Sequence, residues 1–191
     1  FTSGRLYLGD ERGGIKDELV EIQIRNTIKK HLDKELQLKN KGIKVLSLFF
    51  VDKVANYRKY DEEGKPVKGQ FADWFEKHYS DLIKLPQYKD LDVFPVDKLH
   101  DGYFSTDKKG IFKDTNGSTL ADDDTYAKIM RNKEQLLDMK EPLKFIFSHS
   151  ALREGWDNPN VFQICVLREV GGIKERRQTL GRGLRLPVNQ D

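Results

Sequence analysis

The 191-residue sequence contains a single cysteine, Cys165, so an internal disulfide or a thiolate metal cluster within the chain is excluded. Because Cys165 lies in an apolar run, we expect it to be a small core residue of a protein from a reducing, cytoplasmic compartment.

The longest apolar runs fall well short of the roughly 20 residues that a membrane-spanning helix needs. No basic segment followed by an apolar core marks a signal peptide at the start. The chain opens on Phe1 and not on methionine, from which we expect a piece of a longer protein.

The composition is that of a globular domain with a highly charged surface. Hydrophobic residues make up 37% of the chain and charged residues 34%, with a net charge of +3. The length suits one domain, residues 1–191, and suffices to bury a core. Regular apolar periodicity argues against disorder.

Strand and helix patterns alternate along most of the chain. Two helices are predicted at residues 17–39 and 70–85, and the first has a stripe of apolar residues at four-residue spacing. That stripe consists of Ile24, Ile28, Leu32 and Leu36. Apolar runs at residues 44–51, 143–147 and 161–167 predict strands buried on both faces, which is typical of a parallel sheet. The predicted fold class is therefore α/β with a parallel sheet.

Residues 86–120 are less regular and are interpreted as an insertion at the edge of the sheet. Within this region, residues 93–96 are predicted to form a strand, and residues 101–110 and 113–117 to form turns or a hairpin. Three consecutive acids follow at residues 122–124. They precede a helical pattern, so we interpret them as favouring a helix N-terminus and not as a metal site.

Two polar segments, residues 151–159 and residues 178–185, flank the strand at residues 161–167. In the segment 178–185, Arg182 and Arg185 are three residues apart and would share one face of a helix, where they could clamp an anion. A solvated arginine-rich helix would have the same spacing, so both readings stay open at this point. In the first segment, Asp157 could accept a hydrogen bond and Gly155 permits a tight turn, but a plain turn is equally compatible. No Gly-x-Ser-x-Gly pattern accompanies residues 148–150, which excludes a typical serine-hydrolase site.

The two segments resemble conserved motifs of superfamily 2 helicases. Residues 150–161, SALREGWDNPNV, resemble motif V, and residues 178–185, QTLGRGLR, resemble motif VI. Residues 44–51 with Asp52 and Lys53 resemble motif IV. Together with DGYFSTDKKG, ADDDTYAKIM and FIFSHSALREGWDNPNVFQI, they make residues 5–188 resemble the restriction (Res) subunit of type III restriction enzymes.

This resemblance implies a second RecA-like domain, a three-layer sandwich, in an ATP-dependent DNA translocase. ATP and Mg²⁺ would be held mainly by a first RecA-like domain, since this chain has no phosphate-binding loop. The segment Glu141 to Lys144 has the wrong spacing for the nuclease motif, so strand cutting would also belong to another domain. The implied partners are double-stranded DNA, the first RecA-like and nuclease domains of the same polypeptide, and a modification (methyltransferase) subunit. The implied location is the bacterial cytoplasm, and the fragment alone should be inactive.

The resemblance also implies roles for individual residues. Arg182 and Arg185 would be catalytic arginine fingers that reach the γ-phosphate of ATP bound by the first domain. The other implied site residues fall into two sets. Nucleotide binding would involve Gly155, Asp157 and Gln178, and DNA binding would involve Lys53, Ser148, Ser150 and Arg153. Two alternatives are a repair-type superfamily 2 helicase and a non-catalytic nucleic-acid-binding module that uses the basic cluster at residues 174–185.

Overall fold

Four parallel strands form the main sheet of the computed structural model, which describes residues 13–104, 133–149 and 160–167. In chain order these strands are β1 (Leu46–Phe50), β4 (His100–Tyr103), β5 (Phe145–Ser148) and β6 (Val161–Val166). Their order across the sheet is β4-β5-β1-β6, and all three neighbouring pairs are parallel. The predicted α/β class with a parallel sheet is confirmed.

Helices cover both faces of this sheet, which gives three layers. On one face, α1 (Gly13–Leu38) and α3 (Gln70–Leu82) pack over Phe49, Phe145 and Phe147. The alternate residues of β1 and β5 point to the other face, where they pack with Leu136 of α4 (Lys133–Leu137). Because β1 and β5 are apolar at successive positions, both of their faces can be buried. The layering agrees with a RecA-like sandwich.

A small hairpin follows β1. The short helix α2 (Val54–Tyr57) leads into β2 (Arg58–Tyr60), which pairs in antiparallel fashion with β3 (Pro66–Lys68). Gly69 then joins the hairpin to α3, and a Cβ there would lie only 2.4 Å from the carbonyl oxygen of Asn56. Only glycine lets these two backbone segments approach so closely. The sequence predicted the helix at residues 70–85, and the hairpin strands before it are an addition.

A buried polar network joins α1 to the sheet. Nδ1 of His31 lies 2.8 Å from the Ser47 hydroxyl, and its Nε2 lies 3.6 Å from the Glu35 carboxylate. Glu35 also pairs with the ammonium of Lys144, the residue before β5. This set of four residues is called the α1 network below. Next to it, the buried ammonium of Lys44 donates hydrogen bonds to the carbonyls of Asp138 (2.9 Å) and Glu141 (2.6 Å). These bonds fix the turn that leads into β5.

Three expectations about particular residues were wrong. Residues 93–96 do not form a strand; the strand of this region is β4, which lies in the main sheet and not in a separate hairpin. Leu36 is 39% exposed. A four-residue repeat advances 40° per step on a helix with 3.6 residues per turn, so Leu36 is rotated about 120° from Ile24. Strand β6 is only partly buried, and Phe162 is 37% exposed, because β6 lies at the end of the described sheet and has one neighbour.

Other expectations lie outside the described residues or stay predictions. The acids at residues 122–124 and the turns after residue 104 fall outside the described ranges. The single-domain organisation with an insertion at residues 86–120 stays a prediction, although β4 within that range belongs to the main sheet. Cys165 packs against the larger core cluster, and burial raises the pKa of its thiol to about 11.

Candidate functional site

The carboxyl edge of the parallel sheet is where ligands of α/β folds usually bind. The ends of three strands are held together here by backbone hydrogen bonds. The N–H of Val51 donates to the carbonyl of Ser148 (2.9 Å), and the N–H of Leu167 donates to the carbonyl of Phe50 (2.8 Å). The residues that follow β1, β5 and β6 therefore start from one common edge.

Lys53 is exposed at this edge, directly after β1. Its backbone is fixed because Oδ1 of Asp52 accepts hydrogen bonds from the Lys53 N–H (2.8 Å) and from the Asn56 side chain (2.5 Å). The Lys53 ammonium makes no ion pair within the described part of the chain. A positioned backbone with a free cation suits contact with a phosphate group.

Ser148 is the last residue of β5 and is completely buried. Its hydroxyl has no hydrogen-bond partner among the described residues. In this conformation the hydroxyl is not accessible to a DNA backbone, so Ser148 differs from Lys53 in what it offers a ligand. Orphaned buried hydroxyls are uncommon in proteins.

The remaining residues of the expected site lie outside the described ranges. They are Ser150, Arg153, Gly155, Asp157, Gln178, Arg182 and Arg185. The structure thus places Lys53, which lies between β1 and α2, and Ser148, which ends β5, at one edge of the sheet, and it does not place the expected arginine fingers.

A cleft of about 280 Å³, which the sequence did not indicate, lies between the hairpin, α3 and β4. A chain of polar contacts runs along it. The Tyr57 hydroxyl is 2.8 Å from Nδ1 of His100, whose Nε2 is 3.2 Å from Glu76, and Glu76 accepts a hydrogen bond from Lys68 (2.6 Å). Arg58, also on the cleft wall, pairs with Asp101 at 3.2 Å. Three charged side chains that line the cleft, Lys68, Glu76 and Arg58, are therefore already paired.

The pKa values in the cleft agree with a neutral imidazole. Burial lowers the pKa of His100, and the neighbouring Glu76 only partly opposes that effect. Burial raises the pKa of Glu76, but the hydrogen bonds from Lys68 and His100 outweigh burial and keep its pKa below the usual range. Because a carboxylate only accepts, Nε2 of His100 carries the proton, and Nδ1 accepts from the Tyr57 hydroxyl. No sequence pattern pointed to this arrangement, since its members come from four elements.

Neither a metal centre nor a membrane span is found in the described ranges. No three His, Cys, Asp or Glu side chains there are grouped so that they could hold a metal ion. None of the described helices combines the length and the apolarity needed to cross a bilayer.

Comparison with known proteins identifies the relatives of the chain. It is 38% identical over 180 residues to the Res subunit of the type III restriction-modification enzyme EcoP15I from Escherichia coli. It is 37% identical over 180 residues to the EcoPI Res subunit of Escherichia phage P1, and 36% identical over 202 residues to the StyLTI Res subunit of Salmonella typhimurium. Each match covers 90% of this chain. No family model matches the chain.

The matched region is a small part of these relatives. It covers 18% of the EcoP15I and EcoPI subunits and 19% of the StyLTI subunit. The chain thus spans about a fifth of the length of these relatives. With this similarity along nine-tenths of its length, the chain is a homologue of one segment of the Res subunits of type III restriction-modification enzymes.

Proposed function

We propose that this chain is the second RecA-like motor domain of an ATP-dependent DNA translocase in a type III restriction endonuclease. ATP and Mg²⁺ would be held mainly by the first RecA-like domain of the same polypeptide, and Arg182 and Arg185 would reach the γ-phosphate across the cleft between the domains. The whole enzyme would act in the bacterial cytoplasm with double-stranded DNA and a modification subunit. The isolated chain would be inactive, because it has no phosphate-binding loop.

The observation that carries this proposal is the similarity to three Res subunits along 90% of the chain. The all-parallel sheet supports it, since motor domains of this type place their motifs at the ends of parallel strands. A repair-type helicase has less support, because the three relatives are all named as restriction enzymes.

Separate roles follow for the site residues within the proposal. Gly155, Asp157 and Gln178 would line the nucleotide cleft, while Ser150 and Arg153 would contact the DNA backbone. Lys53 has an exposed position that fits such a contact. Ser148 would need a rearrangement after β5 before its hydroxyl could take part, because it is fully buried. Phosphate contacts of this kind hold DNA without reading its sequence.

Arg185→Ala in the full-length protein tests the proposed motor role. An arginine finger stabilises the charge that develops on the transferred phosphoryl group. We expect DNA-stimulated ATP hydrolysis to fall by about 10² or more, which corresponds to a barrier increase of about 2.7 kcal/mol. Circular dichroism would establish that the variant is folded. An unchanged turnover would remove the arginine-finger role.

Arg176→Ala is the matched control, because it removes the same side chain from the same basic cluster outside the QTLGRGLR segment. We expect ATP turnover at saturating DNA to stay within about twofold of the wild type. DNA binding of this variant separates the motor from the alternative binding module. Loss of DNA binding in Arg176→Ala, together with normal turnover in Arg185→Ala, would favour a non-catalytic nucleic-acid-binding module.

A further inference from the structure

The outward side of α1 and the turn after it form a basic surface. Its cations are called the α1 basic face below and are Arg25, Lys29, Lys30, Lys34, Lys39 and Lys41. Five of the six are exposed, and Lys34, which is partly buried, lies 5.8 Å above the ring of Phe162. On the opposite side of the helix, Ile24, Ile28 and Leu32 are fully buried against the sheet. The amphipathic packing of α1 therefore directs these charges away from the core.

No carboxylate neutralises the α1 basic face within the described residues. Residues 25–41 contain only two acids, Asp33 and Glu35. Asp33 accepts a hydrogen bond of 2.6 Å from the Tyr88 hydroxyl, and Glu35 pairs with Lys144 in the interior. Both acids are therefore engaged with other elements, and no ion pair among the described residues includes any of the six cations.

Helix electrostatics explains only part of this surface. Cations near a helix C-terminus are favoured by the helix dipole, but that effect fades beyond the last turn. Lys39 and Lys41 lie just after α1 and fit this explanation. Arg25, Lys29 and Lys30 lie more than two turns before Leu38 and do not. These three cations are exposed and make no ion pair among the described residues, so they are available to an anionic ligand.

We propose that the α1 basic face binds the sugar-phosphate backbone of duplex DNA, as a contact separate from the motif residues at the carboxyl edge of the sheet. The choice of DNA as the polyanion rests on the proposed function. The stretch from Arg25 to Leu38 is about 20 Å long at 1.5 Å per residue, which matches about six base pairs of duplex. Cations spread over that length, mostly lysines without a pocket, suit a line of phosphates and not one small anion. The contact is independent of base sequence.

The test uses the full-length protein with Arg25, Lys29 and Lys30 all changed to glutamine. Glutamine keeps good helix propensity and removes three charges. The affinity for a 40-base-pair duplex is measured by fluorescence anisotropy without ATP at several salt concentrations. Each lost phosphate contact reduces the slope of log K against log salt by about 0.9. We expect the slope to shrink by 2 to 3, with binding at least about tenfold weaker at low salt.

A matched control changes Lys84, Lys89 and Lys140 to glutamine. These three lysines are also exposed and lie in turns outside α1. Their loss changes the net charge by the same amount, so we expect the salt slope to stay within about 1 of the wild type. If the salt slope of this control variant decreased as much as that of the α1 variant, the proposal would be overturned, because the effect would then come from the overall charge of the protein.

Two further outcomes would overturn the proposal. One is a salt slope of the α1 variant equal to that of the wild type. The other is normal DNA binding together with loss of binding to the modification subunit, which would make the α1 basic face a protein interface. If the triple variant fails to fold by circular dichroism, Lys29→Gln and Lys30→Gln are measured singly, each with an expected slope change of about 0.9. ATP turnover without DNA should be unchanged in the triple variant. A failure of this proposal can therefore be distinguished from a failure of the arginine-finger role, which Arg185→Ala tests.

Discussion

The hydroxyl of Tyr57 lies 2.8 Å from Nδ1 of His100, and both side chains are buried between the hairpin, α3 and β4. Since His100 donates through Nε2 to Glu76, its Nδ1 depends on the Tyr57 hydroxyl as a donor. A second buried tyrosine differs in this respect. The Tyr79 hydroxyl has no hydrogen-bond partner within the described ranges, although its ring is equally buried.

This contrast predicts opposite effects for the same substitution at the two positions. Tyr57→Phe should lower the free energy of unfolding by about 1–3 kcal/mol, because it leaves Nδ1 of His100 buried without a partner. Tyr79→Phe should be neutral or slightly stabilising, because it removes a hydroxyl that is already unpaired. Urea denaturation followed by circular dichroism would measure both. An equal loss of stability at the two positions would contradict this account. It would mean that the hydrogen bond to His100 is not the reason why the Tyr57 hydroxyl stabilises the fold.

The sequence predicts the central layers of the fold well, because their signals are local. The apolar runs that become β1 and β5 are long enough and apolar enough for a strand buried on both faces. The helix α3 was expected at residues 70–85, and its residues Phe71, Phe75, Tyr79 and Leu82 are buried. These features follow from periodicity, which a single sequence contains.

The polar interior could not be predicted in the same way. His31 and Glu35 project toward the sheet, yet a search for apolar stripes passes over both and selects the exposed Leu36. Their partners Ser47 and Lys144 lie on other elements, so only the tertiary arrangement brings them together. The edge strand β4 escaped prediction for a similar reason. Its residues include His100, Asp101 and Gly102, and it is a strand because β5 provides a partner.

The candidate site was reached mainly through resemblance. Of its residues, only Lys53 and Ser148 lie in the described ranges. The exposure of Lys53 agrees with a phosphate contact, whereas the burial of Ser148 was not foreseen. The apolar run before Ser148 predicts that this residue ends a strand. The face of the sheet on which its side chain lies depends on how the strand pairs with its neighbour. Ser148 lies beside Phe50 in the sheet, which places it in the interior.

The pair of Lys144 and Glu35 predicts a large stability loss when one partner is removed. Lys144→Met should lower the free energy of unfolding by about 3–5 kcal/mol, because it leaves a largely buried carboxylate without its cation. The double variant Lys144→Met with Glu35→Met should recover much of that loss, since an apolar pair has no buried charge. Urea denaturation of the single and double variants forms a complete cycle. A double variant less stable than Lys144→Met would contradict this account.

The two buried histidines, His31 and His100, predict loss of stability in acid. Burial lowers the pKa of His31, and Glu35 only partly offsets it; burial likewise lowers that of His100. Below the ordinary histidine value of 6.5 the unfolded chain then binds more protons than the folded chain, so acid favours unfolding. The free energy of unfolding should fall between pH 7 and pH 5, by at most about 1.4 kcal/mol per pH unit for each histidine.

Glu35 adds a second window at lower pH. Burial alone would raise its pKa, but the neighbouring His31 and the charge of Lys144 lower it to about 2. Its stabilising effect is complete above the ordinary glutamate pKa of 4.5 and is lost as the pH falls toward 2. The urea midpoint should therefore be followed from pH 7 to pH 3. Replacing both His31 and His100 with glutamine should flatten the curve between pH 7 and pH 5. The lower window should become smaller but persist, because Lys144 still lowers the pKa of Glu35.

Gly102 is predicted to be intolerant of any side chain, because a Cβ there would lie 2.2 Å from the Phe104 ring and 2.7 Å from the Tyr57 ring. Both rings are buried, so neither can move aside freely. Gly102→Ala should lower the free energy of unfolding by about 1–3 kcal/mol or more, and it should weaken the Tyr57–His100 contact.

Gly64 is the control: it has a φ of 76° but open space around it. Gly64→Asn should cost less than about 1 kcal/mol, since asparagine tolerates the left-handed region. Urea denaturation of the two variants would measure the difference, and an equal cost at both positions would show that crowding at β4 is not what requires glycine.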